Sequence, residues 1–162
     1  MTIKTYVFDI DGTIADVSDR LHYVTPPNHD WNAFFDQVIN DKPIWPIIDL
    51  VNIISMHCVR DGSDDPDSDQ YDIVFVTGRP ERCREQTVKW MAKYFGSVAF
   101  SFSILMRADG DHRPDHVIKS EIIDQLIDQD CEIVFAVDDR DSVVQLYRNR
   151  GITCLQCANG NY

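Results

Sequence analysis

Ile3-Lys-Thr-Tyr-Val-Phe-Asp-Ile-Asp-Gly-Thr13 is an apolar, β-favouring run that stops at two carboxylates and a glycine. Ile3 to Ile10 reads as a buried strand. Asp9 ends the apolar part and Asp11 follows two residues later, so on an extended chain both side chains point the same way. Two carboxylates that close repel and lose hydration unless a cation or a shared proton compensates. Gly12 permits a tight turn and Thr13 can donate a hydrogen bond. A solvated Asp-Gly turn would explain a lone pair of acids. The whole hexad Phe8–Thr13 at the end of the first strand favours a functional site.

The rest of the chain repeats that strand pattern. Asp72–Thr77, Cys131–Val137 and Ile152–Cys157 read as further buried strands, and Phe100–Met106 as a weaker one. Helical spacing occupies the intervals. Pro46–Met56 carries Ile47, Ile48, Val51 and Ile54. Pro80 opens a second helix running to about Tyr94. Val117–Ile127 sets Val117, Ile118, Ile122, Leu126 and Ile127 on one stripe, and Ser142–Arg148 is stopped by Gly151. Strands alternating with helices predict an α/β fold, a Rossmann-like parallel sheet with helices on both faces. Ligands bind such sheets beyond the carboxyl ends of the strands. Residues 16–45, with Trp31, Phe34, Phe35 and Trp45, read as a small cap insert. Residues 61–70 read as an acidic loop, with the glycine and distal glutamate of a calcium-binding loop missing from their places. Residues 1–162 are expected to form one domain.

Three further elements fall at strand ends. Val76-Thr-Gly-Arg-Pro80 places a hydroxyl before a helix start, which is the make-up of a phosphate cradle; a plain turn explains it equally well. Val137-Asp-Asp-Arg140 again ends an apolar strand in acids, suited to a hard divalent ion or to capping a helix. Lys119 sits in the first half of a helix whose apolar stripe excludes it, one turn after Asp115. Most such lysines are exposed and paired with the neighbouring acid.

Composition narrows the partners. The 162 residues carry a formal net charge of −12, which repels a long phosphate backbone and argues against extended duplex binding. A nucleic-acid end or a small phosphate remains compatible. No apolar run reaches the length of a membrane span, and the N-terminus has no apolar signal core, so the expected location is cytoplasmic and no membrane contact is expected. Five cysteines fit a reducing compartment. Cys154-Leu-Gln-Cys157 has no second pair and no nearby histidine, so it reads as packed thiols rather than a metal or redox site.

The order acid–acid, hydroxyl, lysine, acid–acid resembles the haloacid dehalogenase superfamily of aspartate-dependent phosphohydrolases over the whole chain. Arg107–Lys119, Asp138–Arg148 and the tail Gly151–Tyr162 further resemble the 3′-phosphatase domain of bacteriophage polynucleotide kinase. That resemblance implies a Mg²⁺-dependent phosphomonoesterase. Asp9 would be the nucleophile, Asp11 the general acid and base, and Thr77 and Lys119 the ligands of the phosphoryl oxygens. Asp9, the Asp11 carbonyl and Asp138 would hold Mg²⁺, with Asp139 in support. Gly12, Thr13, Gly78, Arg79, Arg107, Asp115 and Arg140 would serve the substrate, with the three arginines ringing the pocket mouth. Thr77 stands where that family usually has serine. No glycine-rich loop with Gly-Lys-Ser/Thr is present, so 5′-kinase activity is not expected. The implied substrate is a nucleotide or nucleic-acid end bearing a 3′-phosphate. A 5′-nucleotidase or a general small-phosphoester phosphatase is the alternative. A non-catalytic binding module is disfavoured by the complete set Asp9, Asp11, Lys119 and Asp138.

Overall fold

The computed structural model describes residues 2–60 and 70–160; nearly all of the acidic stretch 61–70 therefore lies outside the described residues. Five strands form one parallel sheet: β1 (Ile3–Phe8), β4 (Gln70–Pro80), β5 (Ser103–Arg107), β6 (Cys131–Asp138) and β7 (Cys154–Gln156). Their order across the sheet is β5-β4-β1-β6-β7. The chain thus builds outward from β1 on one side and then on the other, and the reversal places a crevice at the carboxyl ends of β1 and β6.

Alternation along the strands sends side chains to opposite faces. Tyr6, Phe8, Ile73 and Phe75 pack with Ile48 and Val51 of α2 (Trp45–Arg60) and with Trp90 and Met91 of α3 (Arg84–Phe95). Val7, Val74, Val76 and Ala136 pack on the other face with Ile118, Ile122 and Ile123 of α4 (Asp115–Asp128). Val143, Val144 and Tyr147 of α5 (Asp141–Asn149) complete that side. Among the described residues no helix is long and apolar enough to cross a membrane.

Three local expectations need correction. Strand β4 runs on through Pro80, and a 3₁₀ turn over Glu81–Cys83 separates it from α3. Pro80 therefore ends a strand instead of opening a helix, because Arg107 of β5 pairs with it across a shifted register. Ile127, placed on the apolar stripe of α4, is exposed, while Ile123 takes the buried position. Lys119, set outside that stripe, is almost wholly buried, held by carboxylates.

The cap lies between two short antiparallel strands, β2 (Ala15–Asp16) and β3 (Lys42–Pro43). It contains a 3₁₀ segment (Ser18–Tyr23), the short helix α1 (Trp31–Asp36) and a second 3₁₀ turn (Val38–Asn40). Asp30 caps α1 by accepting the Ala33 N–H at 2.9 Å. Phe34 and Val38 are buried, and the Trp90 indole N–H donates to the Asp41 carbonyl at 2.8 Å. These contacts make the cap a fixed wall.

Candidate active site

Strand β1 delivers Asp9 to the crevice, and its N–H donates to the Val137 carbonyl of β6 at 3.0 Å. That bond sets Asp9 beside Asp138, the last residue of β6. Carboxylate oxygens of Asp9, Asp138 and Asp139 lie within 4.8 Å of one another, and all three residues are buried. Lys119 from α4 reaches in beneath them. Its ammonium donates to Asp9 Oδ1 at 2.6 Å and Asp138 Oδ2 at 2.8 Å, and sits 3.4 Å from Asp115 Oδ2. Asp115 and Lys119 are four apart on one helix, so one face of α4 supplies both.

Charge does not balance in this cluster. Burial pushes the Asp9 carboxyl well above the usual carboxylate range; Lys119 opposes that shift, while Asp138, Asp139 and Asp115 add to it. Burial and the neighbouring Asp138 raise Asp139 to about 6. Burial works against the Lys119 ammonium, but Asp115, Asp138 and Asp9 outweigh it and raise its pKa. With Asp115 also paired to Arg107, one ammonium facing the three buried carboxylates of Asp9, Asp138 and Asp139 still leaves a negative excess in a hard-oxygen donor set, which fits a divalent cation.

Asp11 has a different environment. Its Oδ1 accepts from Arg79 Nε at 2.9 Å and Nη2 at 2.6 Å, and from Arg20 Nη2 at 2.5 Å. Burial opposes ionisation of Asp11, but Arg79 and then Arg20 outweigh it and hold the carboxyl at about 2. Asp41 braces both arginines from behind: its Oδ1 accepts Arg20 Nε at 2.7 Å and its Oδ2 accepts Arg79 Nη2 at 2.8 Å. Arg79 Nη1 donates to Thr87 Oγ1 at 3.2 Å.

Arg20 and Asp41 were missed in the sequence. They lie in the polar cap stretch, where no periodicity or strand end distinguishes them from solvated residues. The mouth position expected of Arg79 is likewise not observed. It is fully buried under Asp11, because the extra length of β4 turns its side chain inward.

Arg107 is placed at the rim but is occupied by the protein. It donates through Nε to the Gly78 carbonyl at 2.9 Å, through Nη1 to the Asp111 and Arg113 carbonyls at 3.1 and 2.6 Å, and through Nη2 to Asp115 at 3.3 Å. It shapes the loop of residues 108–114. Gly78 passes so close that an added Cβ would strike Asp115 Oδ1 and lie 3.4 Å from Arg107 Nη2. Gly12 takes φ +84° in the turn after Asp11, a conformation glycine adopts without penalty. Thr13 and Thr77 are fully buried, and Thr77 Oγ1 accepts the Arg79 N–H at 3.3 Å. The chain after Thr77 continues as strand to Pro80 and then a 3₁₀ turn, so the helix start expected directly after Gly78–Arg79 is not observed.

These groups open into a cavity of about 720 Å³. Asp9, Asp11, Lys119 and Asp139 lie at its base, and Arg140 and Asp115 also line it. Trp31, Phe34 and Phe35 of the cap form one wall, and residues 109–114 form another. Arg82 ties the two: its guanidinium reaches Asp36 at 2.7 Å and Asn32 at 3.1 Å, while its N–H donates to Asp109 at 2.8 Å.

Comparison with known proteins agrees with this geometry. The polynucleotide kinase PNKP phosphatase domain model matches residues 3–162. A protein of Autographa californica nuclear polyhedrosis virus, described as a bifunctional polynucleotide kinase/RNA ligase, is 25% identical over 146 residues. The match spans 90% of this chain and 18% of that protein. Among solved structures, a chain of the Pnkp1/Rnl/Hen1 RNA repair complex superposes with TM-score 0.73 at 24% identity, covering 99% of this chain and 44% of that one. The class C acid phosphatase of Bacillus anthracis gives TM-score 0.67 at 15% identity, covering 100% and 69%. The chain thus spans less than half the length of the viral protein and of the repair-complex chain. The sheet, the strand-end carboxylates and the family match together assign the chain to the polynucleotide kinase PNKP phosphatase domain family, within the haloacid dehalogenase phosphatases, as a phosphoric monoester hydrolase.

Proposed function

We propose that this hydrolase removes the 3′-phosphate from a nucleotide or nucleic-acid end through an aspartyl-phosphate on Asp9, with Mg²⁺ as its metal. The observation that carries the reading is the strand-end cluster itself: Asp9 buried beside Asp138 and Asp139, with Lys119 at 2.6 Å. A buried carboxylate in that setting is poised as a nucleophile rather than a surface charge. The family match to a polynucleotide kinase phosphatase domain supports the 3′ end as substrate.

A carboxylate oxygen of Asp9 attacks phosphorus, and the bond from phosphorus to the ester oxygen breaks. Asp11 gives the departing alkoxide a proton. Water then attacks the phosphorus of the aspartyl-phosphate, Asp11 takes its proton, and Asp9 is released with inorganic phosphate. Arg20 and Arg79 keep Asp11 ionised before substrate arrives, which suits the second half. An incoming phosphate dianion raises the Asp11 pKa by like-charge repulsion and so favours the protonated form needed in the first half. Lys119 neutralises charge on the phosphoryl oxygens, and the Thr77 hydroxyl retains a proton to donate there. Asp9, Asp138 and Asp139 are the residues that would hold Mg²⁺, which supplies positive charge against the repulsion between carboxylate and phosphate.

The test is phosphate release from matched 3′- and 5′-phosphorylated nucleosides and short oligonucleotides, with Asp9→Asn as control. The 3′ isomers are expected to react faster, and Asp9→Asn to be inactive with an unchanged circular dichroism spectrum. Activity within about tenfold of wild type in that variant, less than about 1.4 kcal/mol of barrier, overturns the covalent mechanism. Equal or faster turnover of 5′-phosphates makes the enzyme a general nucleotidase.

A further inference from the structure

The cavity is far larger than a phosphoryl group, and its two ends differ in chemistry. The base is ionic, built from Asp9, Asp11, Lys119 and Asp139. The cap wall is aromatic. Trp31 lies 5.6 Å from Phe34, edge on at 79°, and 6.0 Å from Phe35, nearly parallel at 28°. Phe34 is 3% exposed and anchors α1, with the Arg20 guanidinium 4.1 Å from its ring centre. Trp31 is 51% exposed, although it lines the cavity. Its indole is thus fixed by two neighbouring rings while half of its surface stays open. An open tryptophan costs hydration free energy that burial would recover, so the cap gains nothing in stability from that placement.

A chain of net charge −12 offers no long-range attraction to a phosphate backbone, and four arginines near the site are committed within the protein: Arg20 and Arg79 to Asp11 and Asp41, Arg107 to the loop, Arg82 to Asp36. Lys119 and a bound cation serve the phosphoryl group alone, so discrimination of a nucleotide from other phosphoesters requires short-range contact beyond the phosphate. A nucleobase presents a flat π face, and stacking on an aromatic side chain contributes about 1–3 kcal/mol per base without demanding a particular sequence.

We propose that Trp31, backed by Phe35, is the stacking platform for the nucleobase of the phosphorylated residue, so that the cap distinguishes nucleotides from phosphoesters that lack a base. The proposal rests on the phosphatase reading above and adds a specificity determinant to it.

The experiment measures kcat/KM for adenosine 3′-monophosphate and for glycerol 2-phosphate, and takes their ratio. In Trp31→Ala the ratio is expected to fall by about tenfold or more, equivalent to about 1.4 kcal/mol, with the change in KM of the nucleotide. Trp31→Leu keeps an apolar side chain without a flat π face and is expected to fall alike. Trp31→Phe keeps a ring and should stay within about threefold. Adenosine 3′-monophosphate should also quench tryptophan fluorescence in wild type and not in Trp31→Phe, where Trp45 and Trp90 remain. An unchanged ratio in Trp31→Ala and Trp31→Leu overturns the platform, as does equal loss on both substrates. A wild-type enzyme that cleaves both phosphoesters equally well also overturns it and leaves the phosphatase reading standing. A wild-type protein that cleaves neither removes the phosphatase reading and this proposal with it.

Discussion

Arg79 shows how much one side chain can carry. Its guanidinium bonds both Asp11 and Asp41 and touches Thr87; Arg79, Asp41 and Thr87 are buried, and only Asp11 faces the cavity. Removing one partner of a buried ionic network costs about 3–5 kcal/mol, because the remaining charges lose compensation. Arg79→Ala is therefore expected to lower the melting temperature sharply, as measured by thermal unfolding. Arg79→Lys keeps the charge but cannot span two carboxylates with a planar fork. It should unfold at a temperature between wild type and Arg79→Ala and turn over more slowly than wild type. A Lys variant equal to wild type in both measurements would show that the fork geometry is unimportant. Gly78 is a second sensitive position: a methyl group there must displace the Asp115 carboxylate. Gly78→Ala should lose activity with little loss of stability, since the displaced group serves the site and not the core.

Elements differ in how they are held. Two contacts of helix α1 contrast in kind. One is the Arg82–Asp36 pair at the rim, whose side chains are 38% and 59% exposed. The other is the buried ring of Phe34 against Arg20. Exposed pairs contribute about 0–1 kcal/mol, whereas truncating a buried phenylalanine costs about 3–5 kcal/mol. Asp36→Ala should change the denaturant midpoint only slightly, and Phe34→Ala should shift it strongly. The reverse ranking would mean that the cap is held from its rim and can swing. Helix α4 is held by Ile118, Ile122, Ile123 and Leu126. That apolar face fixes the position of Asp115 and Lys119 on the adjoining turns.

For the molecule as a whole, the buried carboxylates and the surface charge make separate predictions. A cation that binds the folded state alone stabilises it by RT ln(1 + [L]/Kd), about 2.7 kcal/mol at one hundred times Kd. Mg²⁺ should raise the melting temperature of the wild type, EDTA should reverse the rise, and Asp138→Asn should lose most of the increment. A rise of equal size in Asp138→Asn would place the ion elsewhere. The acidic surface predicts weak salt dependence. A protein gripping six to ten phosphates loses about 10³–10⁵ in affinity between 50 and 200 mM salt. Here KM for a 3′-phosphorylated oligonucleotide should rise by less than about tenfold over that range.

Much of this was legible in the chain. Alternating apolar strands and helical stripes specify a parallel sheet, because burial on both faces requires near-continuous apolar strands. Strand ends mark the face of the candidate site, so Asp9, Asp11, Asp138 and Asp139 could be placed there by pattern, and the resemblance gave Lys119 its proposed role. Three features could not be read that way. Arg20 and Asp41 join Asp11 across 9 and 30 residues of irregular cap, where neither period nor turn chemistry links them. Arg79 and Arg107 look in the sequence like phosphate-binding forks, yet the fold gives them carboxylate and carbonyl partners. An arginine's role depends on which acceptors the fold brings within reach of its five donors, and the sequence order does not contain those distances. Lys119 looked amphipathically misplaced for the same reason: a charge enters a core only where tertiary structure gathers enough opposite charge to offset its lost hydration.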